Sequence, residues 1–378
     1  MTDRCPLSDV PTPALVLDEG IMRRNIARLR AHLQPLDVAL RPHLKTAKSV
    51  EVARQLLEEG NGPATVSTLR EAEVFAAAGV RDILYAVGIA PDKLPRVLAL
   101  RASGCDLSII LDTVVQAEAV AAAARVAGDA IPVLVEIDCD GHRSGLHPDA
   151  PEIVAIGRIL NEGGAHLRGV ITHAGESYSA RNTQALADFA ELECAAAVQA
   201  AETLRSAGLA CPVVSVGSTP TAHFARDLTG VTEVRAGVFV FFDLVMAGIH
   251  VCTPEDIALS VLTTVIGHQK ERGWVIVDAG WMAMSRDRGT QAQAIDQGYG
   301  MVCDIAGRIL PDVIVKQANQ EHGIIAARSG GPLPEFPIGT RLRILPNHAC
   351  ATGAQFDEYI VIPENGGSLA RWPRIRGW

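Results

Sequence analysis

Between residues 38 and 236, short apolar runs alternate with alanine-rich stretches of helical spacing, and this alternation limits the chain to very few folds. The apolar runs fall at 38–40, 64–66, 83–87, 107–111, 133–137, 169–172, 213–216 and 233–236. Helical stretches at 69–78, 114–127 and 185–207 lie between them, rich in alanine, the best helix former. Eight alternations over roughly 200 residues predict a (β/α)8 barrel. The alternative is an open doubly wound sheet, but no GxGxxG turn follows the first strand, so its dinucleotide-binding form has no support.

A chain of 378 residues is longer than one core usually serves, which predicts a second domain. Past residue 248 the texture changes to short β runs at 258–267, 274–279, 301–305, 313–315, 342–346 and 359–362, split by Gly, Pro and Asn. That pattern predicts a mostly antiparallel β domain. The run at 14–18 precedes an amphipathic helix at 21–33 and is surplus to the eight barrel strands, so it is expected to join the β domain. The expected division is a barrel over 19–248 and a β domain over 249–378 joined by strand 1–18.

The net charge of −9 gives no general basic footprint and argues against nucleic acid as a partner. No apolar run reaches the roughly 20 residues needed to span a bilayer, and residues 1–9 lack a signal-peptide pattern, so no membrane partner and a cytoplasmic location are expected. The eight cysteines (Cys5, Cys105, Cys139, Cys194, Cys211, Cys252, Cys303 and Cys350) include no CxxC pair, which suits reduced thiols.

In a barrel of this type chemistry collects at the C-terminal ends of the strands. Lys45 stands there, in the basic turn Arg41-Pro42-His43-Leu44-Lys45 after the first strand, with Ser49 placed to cap the helix that follows. It reads either as a solvated surface lysine or as a desolvated amine able to attack a carbonyl. The other strand ends contribute Ser67, Thr68, Tyr85, Asp112, residues 138–143, residues 173–178, residues 217–219 and Gly237. Gly217, Ser218 and Thr219 after strand seven, with Gly237 after strand eight, can offer N–H groups and hydroxyls to a phosphate. His173 reads as a core histidine or as a ring stacked on a bound aromatic cofactor. The stretch Asp138-Cys139-Asp140-Gly141 resembles the opening of a calcium loop, but the bidentate glutamate at position twelve is missing. In the second domain His348 and Cys350 are two apart at a strand end, so in extended backbone both point to one face. They can share one metal ion or can be a core cysteine beside a structural histidine. Arg286, Arg288, Gln297 and Tyr299, in a glycine-containing loop, can either read a substrate carboxylate or be ordinary surface residues.

Seven motifs resemble one family: RPHLKTAKS around Lys45, TVSTLREAE from Thr65, EIDCDGHRSG from Glu136, THAGESY from Thr172, SVGSTPT from Ser215, EVRAGVFVFFD from Glu233 and PNHACATGAQF from Pro346. The chain is similar to the fold-type III pyridoxal phosphate (PLP) enzymes, the alanine-racemase-like barrels, in their D-threonine aldolase and D-serine dehydratase branch. The resemblance implies that Lys45 carries the cofactor, His173 lies against its ring, Tyr178 approaches the pyridine nitrogen and Arg143 lies near its phenolic side. It also implies that Ser218, Thr219, Gly237 and Val238 hold the phosphate. His348 and Cys350 match the family's divalent-metal pair, for zinc, manganese, cobalt, nickel or magnesium. The aldolases usually have aspartate where Cys350 stands, so the HAC triplet leans toward the dehydratases. The implied activity is dehydration of a D-3-hydroxyamino acid, with D-threo-3-hydroxyaspartate favoured, to a 2-oxo acid and ammonia. Retro-aldol cleavage by an aldolase is the alternative, followed by racemisation, which would leave the metal pair idle. A non-catalytic PLP-binding regulator is disfavoured, since it would need neither the β domain nor the HAC motif. A homodimer is the assembly the resemblance implies.

Overall fold

The alternating segment closes on itself. In the computed structural model, which describes residues 6–57 and 61–378, one sheet contains eight strands. They are β2 (Ala39–Leu40), β3 (Ala64–Val66), β4 (Asp82–Gly88), β5 (Asp106–Leu111), β6 (Pro132–Ile137), β7 (His166–Thr172), β8 (Val213–Val216) and β9 (Glu233–Val234), in the order β2-β9-β8-β7-β6-β5-β4-β3. Every neighbouring pair is parallel. The ring is completed beyond β2, where His43 forms a parallel bridge with Thr65. Thr65 N–H donates to Pro42 O at 2.9 Å and Leu44 N–H to Thr65 O at 2.8 Å, while on the other side Arg41 N–H reaches Val234 O at 2.9 Å and His43 N–H reaches Ala236 O at 2.7 Å. The segment that carries Lys45 is therefore the barrel's closing seam.

Local sequence explains the helices around it. Thr113 and Gln116 form a reciprocal capping box at the start of Val114–Ala127, and Gly128 ends that helix in the left-handed conformation, φ 64°. In Thr183–Ser206 the buried face is Leu186, Ala187, Ala190, Glu193, Ala196, Ala197, Ala200, Ala201 and Leu204, a helical repeat of small residues broken by one carboxylate. Ser49 occupies the cap position of Val50–Leu56, but its hydroxyl donates to Glu51 at 2.9 Å instead of capping the backbone.

Leu84, Ile110, Leu134 and Ile171, from four consecutive strands, form one apolar cluster. Ile171 pairs with Glu136 and Ser215, and Ser215 with Glu233, so apolar and polar residues share this face of the sheet. The polar residues form a chain. Arg41 forks onto Asp82 at 2.7 and 3.0 Å and donates through Nε to Glu233 at 2.7 Å; Ser215 donates to the other Glu233 oxygen at 2.6 Å and accepts from Arg235 at 2.6 Å. Arg235 also donates to the carbonyl of Thr172.

The rest of the chain forms a second sheet: β1 (Ala14–Asp18), β10 (Leu259–Gln269), β11 (Trp274–Val277), β12 (Met301–Asp304), β13 (Ile309–Ala318), β14 (Gly323–Ala327), β15 (Arg341–Leu345), β16 (Glu358–Ile362) and β17 (Ala370–Pro373). Its order is β11-β14-β13-β12-β15-β10-β1-β16-β17, and β11 also pairs with β10, so six strands close a second ring. All pairs are antiparallel except β1 with β16. β1 thus lies in the β domain, where its register sets Leu15 against Val261 and Val16 against Ile360. Two strands escape the sequence reading: β14 is buried on both faces and shows no alternation, and β17 is a short edge strand with the sequence ARWP. The chain divides into Arg28–Gly237 with Ile375–Trp378, and residues up to Ala27 with Val238–Arg374. No described helix is long and apolar enough to cross a membrane. The seven cysteines among the described residues are not in disulfides; Cys5 lies outside those residues.

Replacing Glu233 by Ala leaves the buried Arg41 guanidinium short of a partner, and loss of one member of a buried pair costs about 3–5 kcal/mol. Urea unfolding should show that loss, with much of it recovered in the apolar double variant Arg41→Met/Glu233→Leu; an unchanged midpoint in Glu233→Ala would deny the network any part in stability.

Candidate active site

Within the barrel unit, the strand ends gather a lysine, two imidazoles and two arginines. His173 directly follows β7, and its Nδ1 bonds Gly217 O at 2.9 Å, which fixes the ring against the turn after β8. Burial lowers its pKa to about 3, helped by the nearby charges of Lys45, Arg143 and Arg235. His43 is held well below its ordinary value in the same way, first by burial, then by Lys45, Arg235 and His173. Both rings are neutral at physiological pH, so the lysine and two arginines sit among them without a fourth and fifth positive charge. Tyr178, in the turn Gly175–Ser179, places its ring 6.2 Å from that of His173. Lys48, the other lysine of the turn, is committed to buried Glu71 at 3.0 Å, which leaves Lys45 as the lysine facing the imidazoles.

The turns after β8 and β9 are built on close approaches. Gly217 has φ 141°, and a Cβ there would fall 1.9 Å from Arg235 O; a Cβ on Gly237 would fall 2.9 Å from His43 O. Neither position accepts a side chain, and the backbones of three strand ends meet as a result. Ser218 caps Thr219–Phe224 and bonds Ser177 and Thr221, each at 3.0 Å. Thr219 is buried at the first position of that helix. Val238 is also buried, and its carbonyl accepts from Phe242 N–H at 2.7 Å. Beneath these turns, Glu193 accepts from Ala174 N–H at 2.9 Å, Gly217 N–H at 3.0 Å and Thr221 Oγ1 at 2.7 Å. One carboxylate thereby fixes both the segment after His173 and the turn before Ser218. Glycines that admit close backbone approach, hydroxyl donors, an accessible lysine and a neutral imidazole make a donor set that fits a phosphorylated aromatic aldehyde.

Tyr85 does not join this group: it is buried within β4, and its hydroxyl accepts from Lys93 at 3.1 Å. Its place in the middle of the strand, two residues before the apolar run ends, takes it away from the strand end where the sequence reading set it.

In the β unit, His348 precedes the short helix Ala349–Gly353, with Cys350 in its first turn. The two side chains are within hydrogen-bonding reach, and His348 Nδ1 is 2.6 Å from Asp287 Oδ2. Burial would lower the His348 pKa, but Asp287, Cys350 and Asp243 together raise it. Asp243 is buried and spends its oxygens on Met246 N–H at 3.0 Å and Ala349 N–H at 2.9 Å, anchoring the helix start. Among the described residues no group of three or more His, Cys, Asp or Glu side chains is arranged to hold a metal ion. An adjacent imidazole and thiol still fit a two-ligand site with open positions, the form that catalytic metals need. Arg288 is paired with Asp296 at 2.5 Å and lies over Tyr299, while the Arg286 guanidinium lies 4.9 Å from the Trp281 ring centre. Gln297 accepts from Arg328.

The alanine racemase N-terminal domain family matches residues 17–245 and a putative serine dehydratase domain matches residues 258–362. The chain belongs to the alanine-racemase-like, fold-type III PLP enzymes, in their dehydratase and aldolase branch. It is 58% identical to D-threo-3-hydroxyaspartate dehydratase of Delftia sp. strain HT23, over 98% of this chain and 99% of that protein. The solved structure of that enzyme superposes with a TM-score of 0.96 over 98% of this chain and 99% of that one. Two mutant structures of D-threo-3-hydroxyaspartate dehydratase, a cysteine-to-alanine form free of metal and a histidine-to-alanine form, match at 57% identity and the same TM-score, 0.96. A 3-hydroxy-D-aspartate aldolase of Paracoccus denitrificans is 28% identical over 97% of this chain and 92% of its own length.

Because unfolded imidazoles protonate near 6.5 and His173 only near 3, the unfolded chain binds protons that the folded one refuses between those values. This contribution to stability is complete above pH 6.5 and is lost as the pH falls toward 3. The urea midpoint of the cofactor-free protein should drop from pH 7.5 to pH 5, and His173→Asn should flatten that slope; equal slopes would place His173 outside the buried set.

Proposed function

We propose that this protein dehydrates D-threo-3-hydroxyaspartate to oxaloacetate and ammonia, with PLP on Lys45 and a divalent metal on His348 and Cys350. The observation that carries the reading is the adjacent His348–Cys350 pair in a chain 58% identical to the Delftia dehydratase. The mutated histidine and cysteine of the two mutant dehydratase structures are likewise two residues apart, and the cysteine variant is the metal-free one. Water leaves in the elimination and is returned when the nitrogen is hydrolysed away, so substrate becomes oxaloacetate and ammonia with no net water.

PLP supplies an electron sink for the charge left at Cα, and the metal supplies a Lewis acid for the β-hydroxyl. The chain's own residues do the rest. Ser218, Thr219, Gly237 and Val238 would hold the phosphate, His173 would pack against the ring, and Tyr178 and Arg143 would bind the cofactor's polar edge. The amine of Lys45 would carry the cofactor and, when free of it, would take the proton from the substrate's Cα at Nζ. His173 is unsuited to that task, since its ring is held near 3 by burial. The reading extends to a homodimer in the cytoplasm, where seven cysteines without disulfides match a reducing compartment.

Borohydride treatment of the yellow protein should leave a pyridoxyl group on Lys45, located by peptide mass mapping; a label on Lys48 would overturn the assignment. Chelation should keep the colour and stop ammonia release, and Cys350→Ala should behave as the chelated enzyme. Product analysis with 3-hydroxyaspartate should give oxaloacetate, whereas stoichiometric glycine and glyoxylate would transfer the protein to the aldolases.

A further inference from the structure

We infer that Asp287 is the positioning residue of the metal site: it holds His348 by Nδ1 and so presents Nε2, beside the Cys350 sulfur, to the metal. The inference rests on the proposed metal role of His348 and Cys350 and adds a residue and a geometry to it.

The distance of 2.6 Å between Asp287 Oδ2 and His348 Nδ1 is that of a charge-assisted bond. An imidazole has two nitrogens, and a metal takes the one that its outer partner leaves open. Asp287 occupies Nδ1. It is also behind the ring and not in the ligand set, because His348, Cys350 and Asp287 do not form a three-ligand cluster.

The surrounding chain is built to keep this contact in place. On one side of Asp287, Met284 O accepts from Thr352 Oγ1 at 2.8 Å; on the other, Thr290 Oγ1 bonds Asn347 Oδ1 at 3.1 Å, and Asn347 Nδ2 reaches Gly298 O at 2.6 Å. The loop is thus tied to the residues that flank His348 both before and after the aspartate. Ser285 holds a φ of 74°, costly for a residue with a side chain, and its hydroxyl accepts from Asp287 N–H at 3.1 Å. Gly289 passes so close to Val245 that a Cβ would lie 2.6 Å from its methyl. A surface carboxylate that merely met a histidine by chance would need none of these ties.

The test titrates zinc or manganese into metal-stripped, PLP-loaded protein by calorimetry with a competing chelator. Asp287→Ala should weaken metal binding roughly 10–100-fold, the usual effect of removing an outer partner of a metal-binding histidine. Asp287→Asn, whose amide oxygen can still accept from Nδ1, should recover part of that loss, and His348→Ala should lose stoichiometric uptake. Both Asp287 variants should stay folded by circular dichroism and keep the parent's PLP content, since Asp287 is exposed. Unchanged metal affinity in Asp287→Ala overturns the inference. So does loss of uptake as complete as in His348→Ala with no recovery in Asp287→Asn, which would make Asp287 a direct ligand. Failure of the parent protein to take up metal would instead defeat the underlying metal assignment, and the inference with it.

Discussion

The Arg41 guanidinium is where the barrel is fastened. It reaches Glu233 on β9 and Asp82 on β4 from the seam beyond β2, and through Glu233 and Ser215 it connects with Arg235. Ions taken out of water need close partners, since a charge left alone in a protein interior costs several kcal/mol. Each member is therefore held by the others, and the geometry of the strand ends follows. Arg235 donates to the carbonyl of Thr172, the residue before His173, and the backbone of Arg235 is the surface that Gly217 approaches. Burial lowers the Arg235 pKa to about 10, while Glu233 and Glu193 oppose that fall and keep it charged.

The two units solve opposite electrostatic problems. At the barrel mouth the imidazoles of His43 and His173 are kept uncharged, chiefly by burial, so they add nothing to the repulsion among a lysine and two arginines. In the β unit the imidazole of His348 lies among groups that favour its charged form: Asp287, Cys350 and the buried Asp243. A histidine held neutral and one held protonated thus differ in their neighbours and not in their chemistry. Sequence position alone gives both the same reading, a histidine beyond a strand.

Much of the architecture was legible because it is written in local periodicity. Eight barrel strands, the alanine-rich helices and the surplus strand at 14–18 all announce themselves within short windows, and Lys45 stands out as a lysine after a strand. What stayed hidden depends on partners distant in sequence. Glu193 reads as one more acid on a long helix, yet it is buried and fixes Ala174, Gly217 and Thr221, which lie outside that helix. Asp287 meets His348 across 61 positions, and nothing within its own loop marks it as that histidine's partner. β14 lacks alternation because both its faces are buried, and Tyr85 points its hydroxyl at Lys93 from mid-strand. The motif resemblance supplied roles for Arg143, Tyr178 and Val238 that periodicity alone leaves blank.

The position of the seam has a consequence for how the chain matures. The barrel's first strand can be completed only by its last, so Lys45, contributed early in synthesis, waits for residues up to 236 before its surroundings exist. Pairings of such long sequence separation form late, because their loop closure must be met before contacts reward it. A nascent chain that ends short of β9 has the lysine but neither the Arg235 guanidinium nor the Gly237 approach beside it. The lysine's surroundings are therefore a record of ring closure: they exist in full only once the first barrel strand and the last have met.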